Sequence, residues 1–295
     1  MSLKIAILMG GNSDERNVSL KTGEAVKLAC KHLGYHVKTL TLENNFKIFF
    51  DDFKNADIVF NALHGGLGEN GKIQSWFERN KIKYTGSNSK SSSLCMDKSK
   101  SKNIVKKIGF ETPEWEIVKN INDPIKLKPP YVIKPNSQGS TFGITIVNQP
   151  SQTQEALIHA FNFGDEVMIE EFIDGREITV TVVGQKVYPI VEILPKKKLY
   201  DYECKYSDGM SNYICPPKIT PKLMDKIKNG TLDIFNGLEC QVYGRADFLL
   251  IENKFFFLEM NTLPGLTKTS LMPKAAAEEG LSFPQLIDKI IKYSL

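Results

Sequence analysis

The chain has 295 residues, 41% hydrophobic and 24% charged, which fits an ordinary globular protein of two or three domains. Its net charge of +4 comes from 38 basic and 34 acidic residues, too small and too spread a surplus for a dedicated nucleic-acid binder. No apolar run reaches the roughly 18–20 residues that cross a bilayer, and five widely spaced cysteines without a C-x-x-C argue against a disulfide framework or structural zinc and for a reducing cytoplasm.

Lys4–Met9 reads as a first buried strand; as a signal peptide its apolar stretch is too short and runs into a charged loop. A Gly-rich turn follows. Val18, Ala25, Leu28, Ala29 and Leu33 then recur at helical spacing and predict a helix over Val18–Leu33. Val37–Leu42 and Asp57–Leu63 read as strands and Ile73–Asn80 as a short helix. This alternation predicts a small parallel sheet with crossover helices over residues 1–90. The Ser/Lys-rich stretch at 88–105 breaks the pattern, turns helical and marks a domain boundary. Beyond it, Tyr131–Lys134, Gly143–Val147, Glu166–Phe172 and Glu177–Val183 read as strands, with a helix over Ser151–Phe161. A strand over Val187–Leu194 leads into a long polar stretch, Pro195–Ser211, of the kind that is functional or disordered. A helix over Pro221–Leu238, a hairpin over Val242–Met260 and a helix over Phe283–Lys292 complete the chain.

Gly66-Leu-Gly68-Glu-Asn-Gly71 matches the dinucleotide fingerprint G-x-G-x-x-G, and with Lys72 it nearly makes a Walker A loop. It follows the third strand rather than the first. Ile73 stands where a Ser or Thr would hold magnesium, and no well-placed acid lies about 20 residues on. A turn closing over a neighbouring site is the better reading.

The hairpin carries more chemistry. A three-residue turn, Glu252-Asn253-Lys254, would set Asp247 opposite Glu259 and Arg245 opposite Asn261, with all four side chains on one face. Facing carboxylates repel. A divalent cation between them removes that cost, and two carboxylates with a carboxamide suit magnesium completed by phosphate; the alternative is a solvated polar face in a chance register. Lys134 ends a strand and is followed by small residues up to Gly143, which makes a phosphate cradle or an ordinary Gly-dependent turn. Glu170–Glu177 lies between two strands, where an exposed backbone edge can read adenine and Glu177 ribose hydroxyls, or where the chain simply turns. Lys98 carries no signal alone.

Five segments in order, spanning nearly the whole chain, turn these pieces into a pattern: GGNSDERNVSL (Gly10–Leu20), Ala62-Leu63-His64-Gly65, Tyr200–Tyr206, Gly244-Arg245-Ala246-Asp247 and Glu259–Thr267. The pattern resembles the ATP-grasp superfamily and, within it, the D-alanine–D-alanine ligase family. The resemblance implies an α/β chain with an N-terminal domain (1–90), a central ATP-grasp subdomain (91–178) and a C-terminal one (179–295), ATP lying between the last two. It implies that Lys98 and Lys134 contact ATP phosphates, that Ser140 joins them from the flap, and that Glu170, Glu171, Phe172, Ile173 and Glu177 hold adenine and ribose. Asp247, Glu259 and Asn261 would bind two Mg2+ (or Mn2+). Glu15 would accept the ammonium of the first D-alanine, with His64 lining that subsite. Arg245 and the Gly265 N–H would stabilise an oxyanion, while Ser270, with Leu271 and Lys205 nearby, would bind the second D-alanine. Tyr206 would meet Ser140 and Glu15 to close a lid, a residue that goes with D-alanine rather than D-lactate as acceptor. A cytoplasmic homodimer that serves peptidoglycan synthesis, with neither nucleic acid nor membrane as partner, completes the expectation. Leu263, Thr269 and Gln138 depart from the usual Ser, His and Glu but remove no metal or phosphate ligand. A catalytically dead nucleotide-binding module would have lost one of those ligands.

Overall fold

The computed structural model describes residues 2–196, 209–267 and 269–295. Its first sheet is parallel, in the order β2-β1-β3, formed by β1 (Lys4–Gly10), β2 (His36–Leu42) and β3 (Ile58–Asn61). Ile5 to Met9 are buried without alternation, because crossover helices cover both faces of the central strand. The crossover from β1 is α1 (Arg16–His32); α2 (Phe50–Asn55) precedes β3.

The fingerprint glycines serve packing. Gly66–Glu69 is a single helical turn, α3, and Gly71 is the left-handed residue (φ 83°) ahead of α4 (Lys72–Arg79). A Cβ on Gly68 would lie 2.6 Å from Leu63 Cβ, and one on Gly71 would lie 2.4 Å from the Ser89 carbonyl oxygen. Gly68 and Gly71 are thus required by close packing against Leu63 and Ser89.

The Ser/Lys-rich stretch becomes two helices, α5 (Ser89–Met96) and α6 (Lys98–Lys107), because each has a cap. Asn88 accepts from the Ser91 N–H at 2.8 Å and Asp97 from the Lys100 N–H at 3.0 Å. Their apolar residues Cys95 and Val105 enter one core with Val180, Phe248 and Phe257 of the C-terminal part.

The second sheet is antiparallel, in the order β4-β7-β5-β6: β4 (Trp115–Val118), β5 (Tyr131–Pro135), β6 (Thr145–Val147) and β7 (Val167–Glu171). Helix α7 (Thr153–Phe161) covers its core of Ile133, Leu157 and Ile169. Strand β4 was not expected from the sequence; it is a four-residue, half-buried edge with no alternating pattern to reveal it.

The third sheet runs β11-β10-β8-β12-β13, with β9 paired to β8. Its strands are β8 (Arg176–Val183), β9 (Lys186–Val187), β10 (Val191–Pro195), β11 (Ser211–Ile214), β12 (Tyr243–Ile251) and β13 (Lys254–Asn261). The single strand expected over Val187–Leu194 is thus two, and β11 is an addition. Helix α8 (Pro221–Gly237) packs on this sheet; Thr220 caps it and Pro221 supplies its first residue. After β13 come α9 (Leu271–Glu278) and α10 (Phe283–Ser294). The C-terminus returns to the first sheet: Ile287 and Ile290 of α10 share a core with Ile5 and Ile7 of β1 and Tyr243 of β12. No helix among the described residues is long and apolar enough to cross a membrane.

Candidate active site

The β12–β13 hairpin forms the pairs expected from the sequence, Asp247 with Glu259 and Arg245 with Asn261. It reaches them by a different route. Ile251 pairs with Lys254, so the turn has two residues, Glu252 (φ 49°) and Asn253, not three. Phe248 then pairs with Phe257, and Leu258 is left as a bulge that restores the register before Glu259. Each facing carboxylate is held by a cation. Arg245 grips Asp247 through two parallel bonds, Nε to Oδ1 at 2.9 Å and Nη2 to Oδ2 at 2.7 Å, while the Thr179 hydroxyl donates to Oδ1 at 2.5 Å. Lys98 Nζ lies 3.1 Å from Glu259 Oε2 and donates to the Gln138 carbonyl at 2.7 Å.

Arg245, Asn261, Glu259, Lys98 and Gln138 line one cleft with about 840 Å³ of empty space, part of it open to solvent, while Asp247 lies behind Arg245 and is not part of the lining. Glu15, at the start of α1, and His64, after β3, line it from the first sheet; Ser140 lines it from the loop between β5 and β6. The Ser140 hydroxyl donates a short hydrogen bond to Glu15 Oε1, joining that loop to the N-terminal part. Ser140 and Thr141 both adopt left-handed backbone (φ 51° and 66°), which turns the loop sharply at this contact. Glycines let Glu15 fit: a Cβ on Gly65 would lie 2.7 Å from its Oε2 and one on Gly139 would lie 3.1 Å away. His64 is fixed from both ring nitrogens, Nε2 being 2.9 Å from Thr22 Oγ1 and Nδ1 3.7 Å from Glu69 Oε1. Arg245, Asn261, Gly265, Ser270 and Leu271 complete the far wall. Ser270 stands at the N-terminus of α9, close enough to Gly265 that a Cβ there would lie 2.8 Å from its Oγ.

Lys134 and Glu170 do not line this cleft. They pair in the second sheet, Lys134 Nζ to Glu170 Oε2 at 2.6 Å, and the start of α6 is tied beside them by the Lys98 N–H to the Asn136 carbonyl at 3.1 Å. Burial pushes the Glu170 carboxyl up, but Lys102 and Lys134 against it bring it net below its ordinary value. Glu171 is exposed at the end of β7, Phe172 and Ile173 are half-buried in the link to β8, and Glu177 is the second residue of β8. Tyr206 and Lys205, with the Tyr200–Tyr206 motif, lie outside the described residues.

The sequence reading missed Lys102. It lies four residues after Lys98, on the same helical face, and a Lys-Ser-Lys-Ser-Lys run reads by default as solvated surface.

Residues 99–292 match the family model described as "D-ala D-ala ligase C-terminus", and residues 47–87 the one described as "D-ala D-ala ligase N-terminus". The chain belongs to the D-alanine–D-alanine ligase family. It is 41% identical to the D-alanine–D-alanine ligase of Aquifex aeolicus over 293 residues, covering 98% of this chain and 100% of that one. Identity to the ligase of Methylacidiphilum infernorum is 40%, over 98% and 95%. Among solved structures, the fold is similar to the Bacillus anthracis ligase complexed with ATP, with a TM-score of 0.89 and 32% identity over 99% and 97% of the two chains. It is also similar to the VanG D-Ala:D-Ser ligase of Enterococcus faecalis, with a TM-score of 0.86 and 29% identity over the whole of both.

Proposed function

We propose that this protein is a D-alanine–D-alanine ligase, joining two D-alanines at the expense of ATP through a D-alanyl phosphate. The observation that carries this is the Glu15–Ser140 contact. It places a carboxylate suited to an amino acid's ammonium directly under a loop of small residues suited to phosphates. Near full-length similarity to ligases of that name supports it.

A carboxylate is a poor electrophile, so its oxygen attacks the γ-phosphorus of ATP, ADP leaves, and an acyl phosphate forms. Both reactants are anionic, and Lys98 and Lys134 screen their repulsion. The second D-alanine's amine then attacks the acyl carbon and phosphate departs. Arg245 and the Gly265 N–H stabilise the oxyanion that develops. Ser270 and the N-terminus of α9, with Leu271, receive the acceptor's carboxylate. Glu170, Glu171, Phe172, Ile173 and Glu177 hold the nucleoside.

The donor set fits the expected metal. Among the described residues no group of three or more His, Cys, Asp and Glu is arranged to hold an ion; the set here is two carboxylates and a carboxamide. Asp247, Glu259 and Asn261 offer hard oxygens on one face of the hairpin, which suits two Mg2+ or Mn2+ completed by phosphate oxygens. A metal held there would supply charge neutralisation at the phosphates. The division into units 1–90, 91–178 and 179–295, the homodimer, the cytoplasmic location and the delivery of dipeptide to peptidoglycan synthesis rest on family membership.

Purified protein with Mg-ATP, D-alanine and equal D-serine or D-lactate should yield D-alanyl-D-alanine as the main product by mass spectrometry. A predominance of the D-serine or D-lactate product would replace the acceptor assignment. Gly65→Ala tests the ammonium subsite. The new methyl would displace Glu15 Oε2 at 2.7 Å, on a backbone with φ +65°. With ψ at 176° this is a region that only glycine adopts readily, so strain of about 1–3 kcal/mol is expected in stability, with the larger effect in KM for the first D-alanine. An unchanged KM would separate Glu15 from that role.

A further inference from the structure

Lys102 is fully buried, yet nothing in the mechanism above uses it. Helix α6 presents it one turn after Lys98. Lys98 faces Glu259 of the third sheet; Lys102 faces Glu170 of the second, its Nζ 2.5 Å from Glu170 Oε1. The same ammonium donates to Thr112 Oγ1 at 2.6 Å, and the Thr112 hydroxyl donates to the Phe257 carbonyl of β13 at 2.7 Å. The Trp115 ring lies 5.3 Å away. Lys102 therefore ties both sheets that flank the proposed nucleotide site.

The charge count is the informative part. Glu170 and Lys134 alone are a matched pair at 2.6 Å. Adding Lys102 leaves two ammoniums on one carboxylate, a surplus that a purely structural pair does not need and that burial makes costly.

We propose that Lys102 is a positioning residue for ATP: by taking half of Glu170's charge it leaves Lys134 with a net positive pull on the phosphates, and it fixes the spacing of the two sheets around the nucleotide. This rests on the ligase reading above. Burial lowers the Lys102 ammonium to about 8, with Lys134 adding to the fall and Glu170 opposing it. The groups that face it are Glu170 on β7, Lys134 on β5 and Glu114 ahead of β4, with Lys106 of α6 on the same Trp115 ring at 5.4 Å.

The test uses the full chain. Lys102→Met should raise the Kd for Mg-ATP, measured by calorimetry, by about tenfold or more. The KM for D-alanine should stay within about twofold, and dipeptide should still form at saturating ATP, because the amino-acid subsites are untouched. A folded variant with unchanged ATP affinity, or with ATP and D-alanine weakened together, overturns the proposal. Should the variant fail to fold, the wild type decides. Because the folded pKa lies below the ordinary lysine value, the charge is present at neutrality and lost as pH rises through about 8. ATP affinity should therefore fall between about pH 7 and 9, and a flat profile there overturns the proposal. Absence of D-alanine-dependent dipeptide formation by the wild type would instead strike the ligase reading itself.

Discussion

Arg245→Met is expected to lower kcat by about 10²–10³, or roughly 2.7–4 kcal/mol of barrier, as loss of one oxyanion donor does. The guanidinium has a second duty. It holds Asp247, only 7% exposed, through two bonds, and its removal strands a buried carboxylate at a cost of about 3–5 kcal/mol. The two effects separate in measurement: thermal melting reads the second, and kcat per folded molecule reads the first. Magnesium with ATP should recover part of the stability, since cations at Asp247 replace the lost charge, but none of the rate. Arg245→Lys keeps a charge without the planar fork and should fall between wild type and Met in both. A kcat that falls only in proportion to the unfolded fraction would remove Arg245 from the chemistry.

Phe248→Ala should destabilise the protein by about 3–5 kcal/mol in chemical denaturation. Phe248 is fully buried and packs edge-on against Phe255 and Phe257, at ring separations of 5.5 and 5.9 Å. It is also the first residue past the register shift in the hairpin. Its ring therefore sits on the joint that sets Asp247 opposite Glu259, and KM for Mg-ATP should rise in the same variant. A loss below about 1 kcal/mol would mean that the neighbouring rings collapse into the space and that the hairpin does not depend on this contact.

That joint shows what was legible in the sequence and what was not. Alternation in β12 and β13 gave the correct facing pairs at the site, although the expected turn was one residue too long. The bulge at Leu258 offset the difference, and nothing local in Phe255–Asn261 announces a bulge. The parallel first sheet was legible because β1 and β3 are dense apolar runs, β2 alternates as an edge strand does, and the helix after β1 has its own period. Strands β4 and β11 were not, since edge strands of only four residues leave no periodic trace. Helix α9 was likewise unmarked: Leu271–Glu278 is short and Ala-rich and begins at Ser270, a residue first read for ligand binding. The cleft residues Glu15 and His64 were found in ordered motifs and Ser270 through the resemblance those motifs carry; all three are far apart in sequence and meet only through the fold. Lys102 escaped because a lysine's burial depends on which helix face packs inward, and the amphipathic signal of α6 is carried mainly by its lysine stems and serines.

The most direct test of the central claim is phosphate release from Mg-ATP by the purified protein, with D-alanine and with L-alanine. The account predicts release that needs D-alanine and is matched by dipeptide, one phosphate for each peptide bond. Release that is indifferent to D-alanine, or its absence with either enantiomer despite tight ATP binding, would contradict it and leave a nucleotide-binding fold in search of another acceptor.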